Sequence, residues 1–293
     1  MPDQRTRPAM AIHGGAGARR GRDYGPQLRH LSELVRLGRD RLEAGAPALE
    51  VVVEVVEALE ASGLYVAGRG AGPNSVGRYE LDAAVMDGQG RRAGAVAGLQ
   101  GFRSPVRAAR RVLDADQVLL AGEGAAAFAA AQGLEPVGDE AAWFVGAGGA
   151  GHAVRPSPRQ VGTVGCVARD GRGRLAAATS TGGLLGKPQG RVGDAPLVGA
   201  GTWADERVAV SCTGYGEAFI RAAAAAQLAF RLRFGGEAPA PAARAVLDDV
   251  ASLGGDGGLI AVSADGEVIA PFNSQGMTRA LLHPDGRVAV EAF

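Results

Sequence analysis

If residues 161–181 fold as a hairpin with Arg169 opposite Leu175 across the Asp170-Gly171 turn, Thr163 falls directly opposite Thr181. Cross-strand neighbours on one face hold their Cβ atoms about 4.5–5.5 Å apart, so two hydroxyls meet at the open end of that hairpin. Taken alone that meeting is a weak signal, because paired threonines are ordinary in sheets. A slip of one residue puts Ser180 in the place of Thr181. A second cluster, Ser211-Cys212-Thr213-Gly214-Tyr215-Gly216-Glu217, runs from a strand pattern straight into a helical one. Gly214 and Gly216 let the main chain approach a ligand closely, and free amides at a helix start suit a developing negative charge. Thr213 also suits a plain N-cap. A third, Gly190-Arg191-Val192-Gly193-Asp194, sets an arginine and an aspartate three apart on a glycine-rich loop. Such a pair holds a carboxylate and an ammonium together, the two charges on the α-carbon of an amino acid. A surface ion pair is the plainer alternative.

Elements able to position these groups are legible around them. Residues 10–13 form a strand candidate that ends in Gly14-Gly15. An amphipathic helix follows over residues 28–43, with Leu31, Leu34, Val35, Leu37 and Leu42 mostly on one side. Another opens at Pro47, where Leu49, Val52, Val53, Val56 and Leu59 recur at helical spacing while Glu50, Glu54, Glu57 and Glu60 face elsewhere. Ser104-Pro105 starts a third, capped by the serine and running to about Leu113, and the alanine-rich residues 122–132 read as a fourth. From about residue 133 to 162 the periodicity decays into glycine, proline and polar residues, the signature of a linker. Beyond it the spacing predicts short strands over residues 161–169, 175–181, 207–213, 259–263, 267–271 and 287–292. Helices over residues 216–234, stopped at Gly235, and 241–253 are inserted among them. Helices and strands interleave on both sides of the linker, which predicts an α/β sandwich of sheets covered by helices.

Composition narrows the partners. At 293 residues, 46 % apolar and 21 % charged, the chain can bury a sizeable core and does not read as disordered. No apolar run approaches the roughly eighteen residues of a membrane span. The N-terminal MPDQRTRPAMAIHGG has too short an apolar stretch for a secretory signal, and both observations point to the cytoplasm. Basic and acidic residues balance at 31 each, with the arginines scattered, so neither nucleic acid nor an anionic membrane is expected as a partner. Cys166 and Cys212 sit in apolar runs without metal-ligand spacing and read as buried free thiols. Glycine is the outlier at 47 residues, clustered between periodic segments as loops around a small substrate require. The cluster at 146–151 spells GxGxxG, but a proline-broken stretch follows it rather than a helix, which argues against a dinucleotide site.

Several runs now form one pattern: Ala11-Ile12-His13-Gly14-Gly15-Ala16-Gly17, Gly162-Thr163-Val164-Gly165 and Ala178-Thr179-Ser180-Thr181-Gly182-Gly183. With the loop at 190–194, Thr213-Gly214-Tyr215-Gly216-Glu217, Gly255-Asp256-Gly257-Gly258-Leu259-Ile260-Ala261 and Pro271-Phe272-Asn273, they resemble the plant-type asparaginase / isoaspartyl peptidase family, in order and over nearly the whole chain. The resemblance implies an N-terminal-nucleophile (Ntn) hydrolase: a single domain over residues 1–293 with a four-layer αββα sandwich. It implies a precursor that cuts itself between Gly162 and Thr163 into an α subunit (1–162) and a β subunit (163–293). Thr163 is then the nucleophile, and its new α-amine, of unperturbed pKa about 7.7–8.0, the base. By the same resemblance Thr181 hydrogen-bonds the nucleophile, and the Thr213 hydroxyl and Gly214 N–H form the oxyanion hole. Arg191 takes the substrate α-carboxylate, and Asp194 with the Gly216 carbonyl takes the α-amine. The implied substrates are small molecules, asparagine or β-aspartyl dipeptides. No cofactor is implied for catalysis. A structural sodium ion is implied on main-chain carbonyls of Leu59, Glu60, Ser62, Tyr65, Ala67 and Arg69, and two αβ units are expected to pair as a dimer.

Two positions depart from the family pattern. Val66 stands where many relatives carry asparagine, which predicts slower maturation and a less ordered active-site loop. Tyr215 is bulkier than the threonine or histidine of some relatives and predicts altered substrate selectivity at the pocket rim. Three other readings compete. A relative acting on glycosylated asparagine does not suit a chain without a secretory signal. A protease of protein substrates needs recognition surface that a compact chain lacks. A non-catalytic homologue that binds amino acids rests only on Val66 and Tyr215.

Overall fold

The computed structural model describes residues 7–146 and 162–293. Its first part runs β1 (Ala9–His13), α1 (Gly25–Glu43), α2 (Ala48–Ala61), β2 (Leu81–Asp87), β3 (Arg92–Leu99), α3 (Pro105–Leu113), β4 (Leu119–Ala121), α4 (Gly122–Ala131) and α5 (Glu140–Trp143). The second runs β5 (Val164–Arg169), β6 (Leu175–Thr181), β7 (Thr202–Ala204), β8 (Val208–Gly214), α6 (Gly216–Ala222), α7 (Ala224–Phe234) and α8 (Pro239–Ser252). It closes with β9 (Gly257–Ser263), β10 (Val268–Ile269), β11 (Arg279–Leu282) and β12 (Val288–Glu291).

Eight strands form one sheet, in the order β12-β11-β1-β5-β6-β2-β3-β4, and four form another, β10-β9-β8-β7. Alternate residues of the large sheet serve two cores. Met10, Ile12, Val85, Val164, Cys166 and Ala178 pack beneath α1, α2 and α3. Ala9, Ala11, Val167, Leu175 and Ala177 turn the other way and join the core of the small sheet, which α6, α7 and α8 cover. The layers are therefore αββα. Strands buried on both faces lose the polar–apolar alternation of an exposed sheet and read as runs of small and apolar residues; β5, β6, β8 and β9 are buried at every position.

Three differences from the sequence reading have physical causes. β2, β3, β4, β7 and β11 are not among the expected strands: β2, β3 and β7 are alanine-rich or short, and alanine has little strand propensity. The helix expected over 216–234 is two helices, broken at Ala223 in the left-handed region (φ 47°). The first amides of α7 are taken by the carbonyls of Ala200 and Gly199, at 3.1 and 2.8 Å, instead of by the preceding turn. The near part of the expected linker is structured. There α5 presents Trp143 beneath the guanidinium of Arg103, 4.4 Å away, and Phe144 stacks on Tyr79 at 3.8 Å. Pro47 is the residue before α2 rather than its first, and Ser104 caps α3 as expected. The GxGxxG run lies largely outside the described residues. Both cysteines are buried free thiols, and among the described residues no helix is long and apolar enough to cross a membrane.

Candidate active site

The hairpin has the expected register, Arg169 opposite Leu175 and Val164 opposite Ser180. The Thr163 hydroxyl donates to that of Thr181 across 3.2 Å, and Thr181 also accepts from the amide of Gly183 at 3.0 Å. Both threonines are only 5 % exposed. On the far side of β6, Asp82 of β2 pairs with Thr181, so Thr163, Thr181 and Asp82 form one row across three strands.

Behind this row lies a polar chain that sequence reasoning missed. Nδ1 of His13, the last residue of β1, is 3.1 Å from the carbonyl of Thr163, and Nε2 is 3.0 Å from the hydroxyl of Ser211 on β8. A carbonyl only accepts, so Nδ1 carries the proton and Ser211 donates to Nε2. Thr179 stands 2.7 Å from Ser211, and Thr202 donates to Thr179 at 2.7 Å. Burial drives the His13 pKa down to about 3, against the pull of the Thr163 carbonyl, so the ring is neutral. The signal for this chain was Gly165, a glycine inside a strand. It pairs with His13, and a Cβ there would collide with Ser211 and lie 2.5 Å from Nε2.

The other groups arrive from the small sheet and the loop before it. Thr213, at the end of β8, is wholly buried and accepts from the amide of Ala16 at 3.3 Å, which leaves its own proton free to donate. Arg191 presents both prongs of its guanidinium to Glu217, at 2.9 Å each. Asp194 is buried, and one of its carboxylate oxygens has no hydrogen bond among the described residues. Burial raises its pKa to about 7; Arg191 opposes the shift, while Glu217 and Asp82 add to it. A Cβ at Gly216 would lie 3.0 Å from Asp194 and 3.1 Å from Arg191, so the three adjoin. Gly162, Thr163, Thr181, Arg191, Asp194 and Gly214 line one cavity of about 10 Å³, enough for about one water. Thr213 is not on its wall. Gly162 also borders a second cavity, of about 50 Å³, beside Tyr65 and Val66. Gly162 thus lies between the two cavities, beside the Thr163–Thr181 pair.

The sequence profile of the family described as asparaginase matches residues 6–144 and 148–290. The chain belongs to the asparaginase family. It is similar to the isoaspartyl peptidase of Salmonella typhimurium, 49 % identical over 92 % of this chain and 94 % of that one. The isoaspartyl peptidase of Escherichia coli is 48 % identical over 92 % and 91 % of the two chains. A plant-type L-asparaginase of Thermococcus kodakarensis is 37 % identical over 97 % and 99 %. The asparaginase-family motifs of the sequence therefore meet in space as well as in order.

The expected sodium loop follows α2. Among the described residues no three His, Cys, Asp or Glu side chains gather as metal ligands. The loop does turn carbonyls inward around glycines: a Cβ at Gly68 would lie 2.7 Å from the Glu60 oxygen, and one at Gly70 would meet those of Tyr65 and Gly63. Such a cradle of neutral oxygens suits a hard cation. The Glu60 side chain is engaged elsewhere. Its carboxylate accepts from the Ser104 hydroxyl at 2.6 Å and the Val106 amide at 3.0 Å, tying α2 to the start of α3. Val66 abuts Gly162, where a Cβ would lie 2.5 Å from its methyl group. The Tyr215 ring packs against the core of the small sheet.

Proposed function

We propose that this chain is a self-cleaving amidohydrolase that acts on the side-chain amide of L-asparagine and on the isoaspartyl bond of β-aspartyl dipeptides. The observation that carries the reading is the 3.2 Å contact between the Thr163 and Thr181 hydroxyls in a cavity shared with Arg191 and Asp194. A threonine hydroxyl is a poor nucleophile at neutral pH and needs an adjacent base. In the precursor Thr163 Oγ1 attacks the Gly162 carbonyl, the amide C–N bond breaks, and water hydrolyses the resulting ester. That releases the Gly162 carboxylate and leaves Thr163 with a free α-amine. The amine then takes the hydroxyl proton while Oγ1 attacks the substrate amide carbonyl. The Gly214 amide, on the cavity wall, and the Thr213 hydroxyl, once Gly162 has left the cavity, would donate to the developing oxyanion. Ammonia or an amino acid leaves, and water cleaves the β-aspartyl ester.

Arg191 and Asp194 supply complementary charges for the substrate α-carboxylate and α-ammonium. Glu217 holds the guanidinium until a substrate carboxylate takes its place. A sodium ion on the carbonyls of the 59–69 loop would brace that loop and take no part in the reaction. Intact-mass measurement after incubation at neutral pH tests the proposal. Two fragments, 1–162 and 163–293, with ammonia released from asparagine, support it. A chain that stays whole and releases none sinks it.

A further inference from the structure

One segment joins Thr181 to Arg191, and between Gly183 and Arg191 only Lys187 is buried; Leu185, Gly186, Pro188, Gln189 and Gly190 are exposed. The same residue is the one lysine among 31 basic residues. Its ammonium donates to the carbonyl of Glu80 at 2.9 Å and faces a carboxylate oxygen of Asp82 at 3.8 Å, with both side chains essentially inaccessible. Asp82 accepts from the Gly98 amide through its other oxygen, and the one turned to Lys187 has no hydrogen bond among the described residues. The lysine is therefore the neighbouring charge that compensates it. Asp82 is also the strand partner of Thr181.

The rest of the loop hangs from the same point. The Lys187 carbonyl accepts from Ser75, the Gly190 amide donates to the Glu80 carboxylate at 3.0 Å, and the Arg191 amide closes a turn on Pro188. A chain that writes arginine elsewhere keeps lysine here for a spatial reason. The side chain runs so close to Gly183 that a Cβ there would lie 2.8 Å from Cδ and 2.9 Å from Nζ. A planar guanidinium, with five donors to satisfy, does not fit beside one carbonyl and one carboxylate oxygen.

We propose that Lys187 is a positioning residue for substrate binding: by tying the 183–191 segment to Glu80 and Asp82, it sets Arg191 over the cavity that Thr163 and Thr181 share. It touches neither substrate nor nucleophile. The inference rests on the amidohydrolase reading above. Self-cleavage of the chain's own peptide has no α-carboxylate to bind and so does not use Arg191. Lys187→Met is therefore expected to self-cleave within about threefold of the wild-type rate. On asparagine its KM should rise about tenfold or more, with kcat changed much less. Lys187→Arg should not restore KM, and Lys187→Met should add nothing in an Arg191→Gln background. If Lys187→Met does not fold, Lys187→Gln, which removes the charge but keeps a donor for the Glu80 carbonyl, carries the same expectation. An unchanged KM, or equal losses in kcat and self-cleavage with KM intact, overturns the proposal. Wild type measured alongside separates the two readings, because an inactive wild type overturns the amidohydrolase assignment itself.

Discussion

Nδ1 of His13 lies 3.1 Å from the main-chain carbonyl of Thr163, so the end of β1 grips the proposed new terminus by its C=O and not by its nitrogen. The proposed cleavage before Thr163 would free the amine and leave this bond in place. The terminus then keeps its orientation towards Thr181 while its nitrogen becomes a base.

A neutral buried histidine has a signature in acid. With its folded pKa near 3, against an ordinary 6.5, the unfolded chain takes up a proton first as pH falls. The contribution of His13 is whole above about pH 6.5 and is lost progressively towards about pH 3, by a few kcal/mol in all. Asp194 works the other way: with a folded pKa of about 7, its contribution weakens as pH rises from the ordinary carboxylate range towards 7. Urea unfolding in a Thr163→Ala background, which keeps the chain whole, isolates the histidine by comparison with His13→Gln. The stability gap between the two should narrow from pH 7 to about pH 4.5. A gap independent of pH means the ring is not held neutral.

Removing one hydroxyl of the central pair should cost both reactions. Thr181→Val preserves the size and burial of the β6 residue but leaves Thr163 without its acceptor. Self-cleavage and turnover should each fall about a hundredfold while the melting temperature changes little. A variant that lost only substrate affinity would move Thr181 out of the nucleophile's environment.

The pH dependence of turnover follows from two ionisations of the free enzyme. Asp194 must lose a proton to hold an ammonium, and burial keeps its pKa near 7. The Thr163 amine must lose one as well, with an unperturbed pKa of about 7.7–8.0. Hence kcat/KM should climb through about pH 7–8. Bound substrate brings its own ammonium to Asp194 and favours the charged carboxylate, so the acid limb of kcat at saturation should lie at lower pH than that of kcat/KM. Coincident limbs would remove Asp194 from the substrate site.

What was legible in the sequence was local. The Asp170 turn fixes the β5–β6 register because its carboxylate accepts from the amides of Arg172 and Arg174, and from that register the Thr163–Thr181 pair follows. Ser104 before Pro105 named the start of α3 for the same reason. The illegible part was long-range. Nothing near His13 reveals that its ring meets Ser211, 198 residues away, because only the stacking of two sheets brings them together. Glu60 read as one more polar position on a helix face, and the partners that occupy its carboxylate lie at the start of α3. Trp143 and Phe144 stood in a glycine- and proline-rich stretch whose composition masked two aromatic anchors.

Val66 offers the last test, since it is the departure from the family pattern that adjoins Gly162, the residue proposed to precede the cut. A Cβ at Gly162 would lie 2.5 Å from one Val66 methyl group, and the Val66 carbonyl accepts from Gly182 at 2.8 Å, so Val66 links Gly162 to the residue after Thr181. An apolar side chain can pin Gly162 there but cannot hydrogen-bond the peptide as its carbonyl turns tetrahedral. Val66→Asn supplies an amide donor of similar size at that place. Self-cleavage, followed by intact mass from freshly purified precursor, should quicken by about tenfold, less than the gain of a fully preorganised oxyanion donor. Turnover of asparagine by the already cleaved enzyme should change little, because Gly162 has then left the nucleophile. An equal gain in both steps would place residue 66 in the substrate site proper, and no gain in either would make its role one of packing alone.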